Sequence, residues 1–153
     1  MDLINYDFES KLEQGFKTLF NTAGIDLYIA DDVDGDLPDE NVRLDLSVGG
    51  VISDEHLKDS TIYDNYGGAL EIEIQTPRVA DDQIPVAAGF ISRHTELVAT
   101  ARKAIEEIDA SVLATNWPGA LSPTKIKPTG TERDNDAEHR VTKLSYDLQF
   151  RIS

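Results

Sequence analysis

Four carboxylates crowd into the six residues Asp31-Asp32-Val33-Asp34-Gly35-Asp36, a density that invites a calcium ion. A calcium loop begun at Asp32 has Asp34 and Asp36 at its third and fifth positions. It then sets Leu37 where the sharp turn needs glycine, and Arg43 where a bidentate glutamate belongs. The stretch, with Asp39 and Glu40 beyond it, is therefore read as a solvated acidic turn between strands. Glu71 and Glu73 share one face of an alternating stretch, as the paired carboxylates of a glycosidase must, but on a wet strand face they read as solvated charge. His56, His94 and His139 have no metal-ligand spacing, and His94 falls inside a helical pattern as a helix-face or packing residue. There is no GxSxG elbow, no phosphate-binding glycine loop and no cysteine. The expectation is a protein without catalytic residues, metal or cofactor, and not an enzyme.

The chain has 153 residues, enough to bury a core without staples, and its 40% hydrophobic and 28% charged content is that of a globular protein. No apolar run is long enough to span a bilayer, and Met1 to Asp7 has neither the basic nor the apolar region of a secretion signal, so no membrane role is expected. The net charge of −15 is unevenly spread. Residues 1–87 hold 20 acidic and 5 basic side chains, whereas residues 88–153 hold 9 of each. A surface so negative repels phosphate backbones, which argues against a direct grip on nucleic acid.

Those residues must be carried by regular elements. Phe8, Leu12, Phe16, Leu19 and Phe20 recur at helical spacing ahead of Gly24, which predicts an amphipathic helix closed by a glycine C′ residue. Period-two alternation marks Ile25–Ile29, Val42–Val48, Leu70–Ile74 and Thr142–Ile152 as strands with one wet face. A weaker strand covers Thr124–Lys127. A second helix, entered near Pro85 and ended near Asp109, carries Phe90, Leu97, Val98, Ala101, Ala104, Ile105 and Ile108 on one stripe. The predicted fold is α+β: a single domain over residues 1–153, with a twisted antiparallel sheet of four to five strands and two helices packed on one face. Phe16, Leu44, Ile72, Leu97, Ile105, Leu148 and Phe150 are expected in one core.

The segment Gly49 to Gly68 is long for a hairpin and too apolar for a linker. Its Ile52, Ile62, Tyr63 and Tyr66 are candidate subunit contacts. Trp117, in Asn116-Trp117-Pro118-Gly119, reads as a cap on the core edge or as an interface anchor, and Tyr28 is a further candidate contact. The acidic residues Asp31, Asp32, Asp34, Asp36, Asp39 and Glu40 are expected to face a channel or solvent.

The succession of the helix Phe8–Phe20, the strand Ile25–Ile29, an acidic loop, the strand Ala69–Gln75, the helix Ile91–Ile108 and the closing run His139–Phe150 resembles the tail-terminator and tail-completion proteins at the neck of long-tailed bacteriophages. The residues Gly130-Thr131-Glu132-Arg133 ahead of that run are similar to the closing hairpin of such proteins. The resemblance implies a structural virion protein, assembled in the host cytoplasm. It further implies a homo-oligomeric ring, usually a hexamer, which ends the tail tube and meets the tail-tube and head-completion proteins. A negative lumen wall would let DNA slide without sticking. The charge equally fits a different class, an acidic inhibitor or nucleic-acid mimic that covers a basic partner.

Overall fold

The computed structural model describes residues 7–30, 35–51, 65–78, 84–108, 117 and 121–152. In chain order these form α1 (Phe8–Thr22), β1 (Leu27–Ile29), β2 (Asn41–Val51), β3 (Asn65–Pro77), α2 (Arg93–Glu106), β4 (Leu121–Arg133) and β5 (His139–Ile152). One five-stranded sheet has the order β1-β2-β3-β5-β4. Both helices pack on the same side of it, since the inward residues of β2, β3 and β5 form one buried cluster with those of α1 and α2. All seven residues expected in the core belong to that cluster.

Local chemistry explains the helix ends. The Asp7 carboxylate accepts from the Ser10 amide at 3.3 Å, satisfying one of the orphan donors of α1's first turn. At the other end Gly24 takes φ +84°, a left-handed value that glycine reaches without Cβ strain, and its amide donates to the Asn21 carbonyl. The start of α2 differs from the sequence expectation. Ser92 is its N-cap and forms a capping box with Thr95, so Pro85 and Phe90 lie ahead of the helix, outside its stripe.

The sheet is mixed, not wholly antiparallel, because the edge strand β1 runs parallel to β2, with Leu27 beside Val42 and Ile29 beside Leu44. Alternation reports which face of a strand is buried; it is silent on strand direction. The strands also extend further than their alternation suggested. β2 and β3 continue through the paired glycines, with Val48 opposite Gly68 and Val51 opposite Tyr66. A Cβ on Gly68 would stand 2.6 Å from the Ser47 carbonyl oxygen, so this position needs glycine for close backbone approach and not as a loop hinge. β4 runs from Leu121 to Arg133, well beyond Thr124–Lys127 and through Gly130, with register shifts near Pro123 and Pro128 that interrupt its pattern. The turn into β5 is held by Asp136, whose carboxylate accepts from the Glu138 and His139 amides at 2.8 and 2.7 Å. Those bonds hold the Asp136 carboxyl below its ordinary pKa.

The two faces of the sheet are unlike. No described helix lies on the second face, where Arg43, Asp45, Glu71, Glu73, Lys143 and Asp147 stand partly or fully exposed. Arg43 pairs with Glu73, its direct cross-strand neighbour, and Lys143 is the next residue in that row. One row along, Asp45 lies directly opposite Glu71, two like charges with no ion-pair partner among the described residues.

Candidate functional site

The capping box that begins α2 leaves the preceding segment in water. Gly89, at φ +96°, turns the chain, and the Phe90 amide donates to the Ala87 carbonyl at 3.3 Å. Val86, Phe90 and Ile91 are the large hydrophobic residues exposed among the described ones, and Ile91 is 89% accessible. Apolar exposure gathered in one short segment is the mark of a contact surface.

Beside this segment, α2 and the end of the sheet enclose a cavity of about 370 Å³. Its floor is the first turn of α2, pinned by a buried polar trio. His94 Nδ1 lies 2.9 Å from Thr76 Oγ1 on β3, and His94 Nε2 lies 2.7 Å from Thr142 Oγ1 on β5. Thr76, His94 and Thr142 are all buried, and mutual hydrogen bonding is what makes such burial tolerable. With both ring nitrogens held by hydroxyls, His94 serves as a tie between helix and sheet, in keeping with the packing role expected of it.

Arginine dominates the cavity's polar lining. Arg78 follows β3, Arg102 rises from the middle of α2, Arg133 ends β4 and Arg140 begins β5. Arg78 donates to the Asp136 carbonyl at 2.9 Å and Arg102 to Thr131 Oγ1 at 3.2 Å, so neutral acceptors orient these two guanidinium groups. Among the described residues the lining contains no aspartate or glutamate. Arg93, one turn away, shows the opposite arrangement. Its guanidinium is bound to Glu40 at 2.9 Å and to Glu96 at 3.3 Å, and the Glu40 hydrogen bond leads in raising its pKa. Four of the chain's fourteen cations therefore surround one hollow with no carboxylate among its described lining residues, in a molecule of net charge −15. Guanidinium groups offer forked donors that match carboxylate or phosphate oxygens, and the apolar Ile91 and Val98 beside them suit a ligand with an apolar part. On the far side of Ala99 a second hollow, about 490 Å³, lies between α1 and α2 and includes Phe90, Leu19 and Ala104.

The residues singled out from sequence lie elsewhere. Tyr66 is half-buried on β3, stacked on Phe150 with centroids 5.5 Å apart and packed on Phe8 at 4.9 Å. Trp117 is 6% exposed and meets Phe16 edge-on at 5.2 Å. Its indole crosses α1 where only Gly15 leaves room, since a Cβ there would come within 2.5 Å of Nε1. That is the core-edge placement of the two weighed for it. Ile52, Ile62, Tyr63, Asp31, Asp32 and Asp34 lie outside the described residues. Asp36 and Asp39 are exposed, Asp39 lying 3.6 Å from His139 Nε2, while Glu40 is taken up by Arg93. Tyr28 is partly buried on the edge strand β1. Among the described residues no three potential ligand side chains gather to hold a metal, and no helix is long and apolar enough to cross a membrane.

The arginine cavity escaped sequence inspection because its members come from four separate elements. The signal within reach was Ser92-x-x-Thr95, which places the helix start after Phe90 and Ile91 and so exposes them.

No family model and no curated protein matches the chain. It is similar in fold to solved structures, among them a protein of 17% sequence identity, with a TM-score of 0.51 over 99% of this chain and 94% of that one. At that identity the likeness concerns the fold alone.

Proposed function

We propose that this chain is a structural protein of the tail neck of a long-tailed bacteriophage, a homo-oligomeric ring that terminates the tail tube and joins tail to head. The observation that carries the reading is the presence of two unlike, complementary surfaces on one chain. The helix side bears the arginine cavity with the exposed Ile91, and the open sheet side bears the unpaired carboxylates Asp45 and Glu71. Unlike patches that meet head to tail generate rings when the rotation closes. The order of helices and strands, and a negative charge that discourages binding of DNA, support the same reading. Its partners are further copies of itself, the tail-tube protein and the head-completion protein, within the virion.

The test is sedimentation of the purified protein across a salt series, followed by electron microscopy of assembled particles. A closed ring with an open lumen, six-membered in the resemblance that prompts the reading, is the expected result. A monomer within the particle would end it. The acidic-inhibitor reading draws on the charge of −15 and expects instead a monomer or dimer whose hold on a basic protein weakens steeply with salt.

A further inference from the structure

The arginine cavity and the open sheet face lie on opposite sides of the same sheet. Thr142, Arg140 and Arg133 share the helix-covered side of β5 and β4, whereas Asp45 and Glu71 stand on the other side of β2 and β3. We propose that the cavity receives the Asp45–Glu71 pair of a second copy of this chain, with Ile91 as the apolar anchor of the contact. The proposal rests on the ring reading and names the residues that close the ring.

Each side carries a defect that the other corrects. Arg78, Arg102 and Arg133 raise positive potential around a hollow with no acidic lining among the described residues, and a guanidinium cluster of this kind favours an incoming carboxylate. Asp45 and Glu71 face one another across β2 and β3, a like-charged cross-strand pair that costs folding stability, and the cations of the adjacent row, Arg43 and Lys143, are paired with Glu73 and Asp134. On one flank of that pair the neighbours are small: Ser47 lies opposite Ala69, and Ser145 follows Glu71 in its row. Small side chains leave room for a protruding one, and Ile91 is 89% exposed with no described partner to cover it. Arginine is also among the residue types that dominate interface energetics. Because the two patches are unlike and on opposite sides, the contact is heterologous and propagates from copy to copy.

The experiment uses the whole chain and three variants: Arg102→Glu with Arg133→Glu, Asp45→Arg with Glu71→Arg, and Ile91→Asp. Sedimentation at physiological ionic strength gives the association of each, and circular dichroism melts show that each is folded. All substituted side chains reach solvent, and Ile91 in particular contributes almost nothing to the core. The wild type is expected to assemble, and each variant to associate at least about tenfold more weakly, the loss of roughly one strong contact. An equimolar mixture of the two charge-reversed variants is expected to recover assemblies, since each supplies the reversed complement of the other. If the wild type assembles and all three variants match it, the ring stands on another surface and this proposal is overturned. Failure of the mixture to recover assemblies would overturn the assigned pairing. A wild type that stays monomeric at every salt and concentration would remove the ring reading itself, and the proposal with it.

Discussion

Along β3, Leu70, Ile72 and Ile74 are no more than 2% exposed, while Glu71, Glu73 and Gln75, interleaved with them, remain partly in water. The same strand thus presents two surfaces built by different rules. On the covered side apolar area is removed from water at about 25 cal/mol per Å², and any polar group must bring its partner with it, as Thr76, His94 and Thr142 do. On the open side charges stay hydrated, so a favourable pair such as Arg43–Glu73 gains little and an unfavourable one such as Asp45–Glu71 costs little. The covered side accounts for stability. The open side is free to be spent on recognition.

The largest expected effect belongs to the covered side. Phe16→Ala or Phe150→Ala, each removing a fully buried ring, should lower unfolding free energy by about 3–5 kcal/mol in a urea titration. A loss below about 1 kcal/mol would erase the distinction between the faces. Next comes His94→Leu, which keeps bulk but strips the Thr76 and Thr142 hydroxyls of their shared partner; about 1–3 kcal/mol should be lost in the same assay.

A smaller effect depends on pH. Burial, aided by the nearby Glu106 carboxylate, pushes the Tyr146 phenol up to about 12, against roughly 10 for an unfolded chain. Below pH about 10 both states keep the proton and stability is unaffected. Between about 10 and 12 the unfolded chain releases it more readily, so stability falls as pH rises. Tyr146→Phe should therefore lose stability less steeply than the wild type across that interval, measured by thermal melting. The smallest effect lies on the open side and has the opposite sign. Glu71→Lys, opposite Asp45, should raise stability by a few tenths of a kcal/mol up to about 1, since it turns a like-charged pair into an attractive one. An equal gain from the same change made at a well-paired site, Glu73→Lys opposite Arg43, would remove the contrast.

What could be read from sequence follows the same division. Burial writes itself into periodicity, so the α1 stripe, the alternation of β2, β3 and β5 and the seven expected core residues all reappear in the structure. Features that depend on position in space leave no such trace. The parallel direction of β1 is set by where the chain returns, not by which side chains it buries. Alternation reveals only the middle of β4, because Pro123, Pro128 and two register shifts interrupt it. The start of α2 is not legible in the stripe, because Phe90 continues it by spacing alone, whereas the Ser92–Thr95 capping box decides where the helix can begin. Arg78, Arg102, Arg133 and Arg140 become neighbours only through the order β3-β5-β4, which places the strand formed last beside one formed much earlier.

That order has a kinetic meaning as well. The β2–β3 and β4–β5 hairpins join strands adjacent in sequence, but the sheet becomes one body only when β5 docks on β3, from Pro77 opposite His139 to Asn65 opposite Arg151. Closure of so long a loop pays its entropy before the contacts reward it, so this seam is expected to form late and to limit the folding rate. Until it forms, a nascent chain leaves the long backbone edge of β3 unpaired, the kind of surface that aggregates or recruits a chaperone. Completion of that seam also brings Arg133 and Arg140 up to Arg78 and Arg102, so the cavity exists only in a finished fold. Under the proposed contact, a subunit would be screened for correct folding before it entered an assembly.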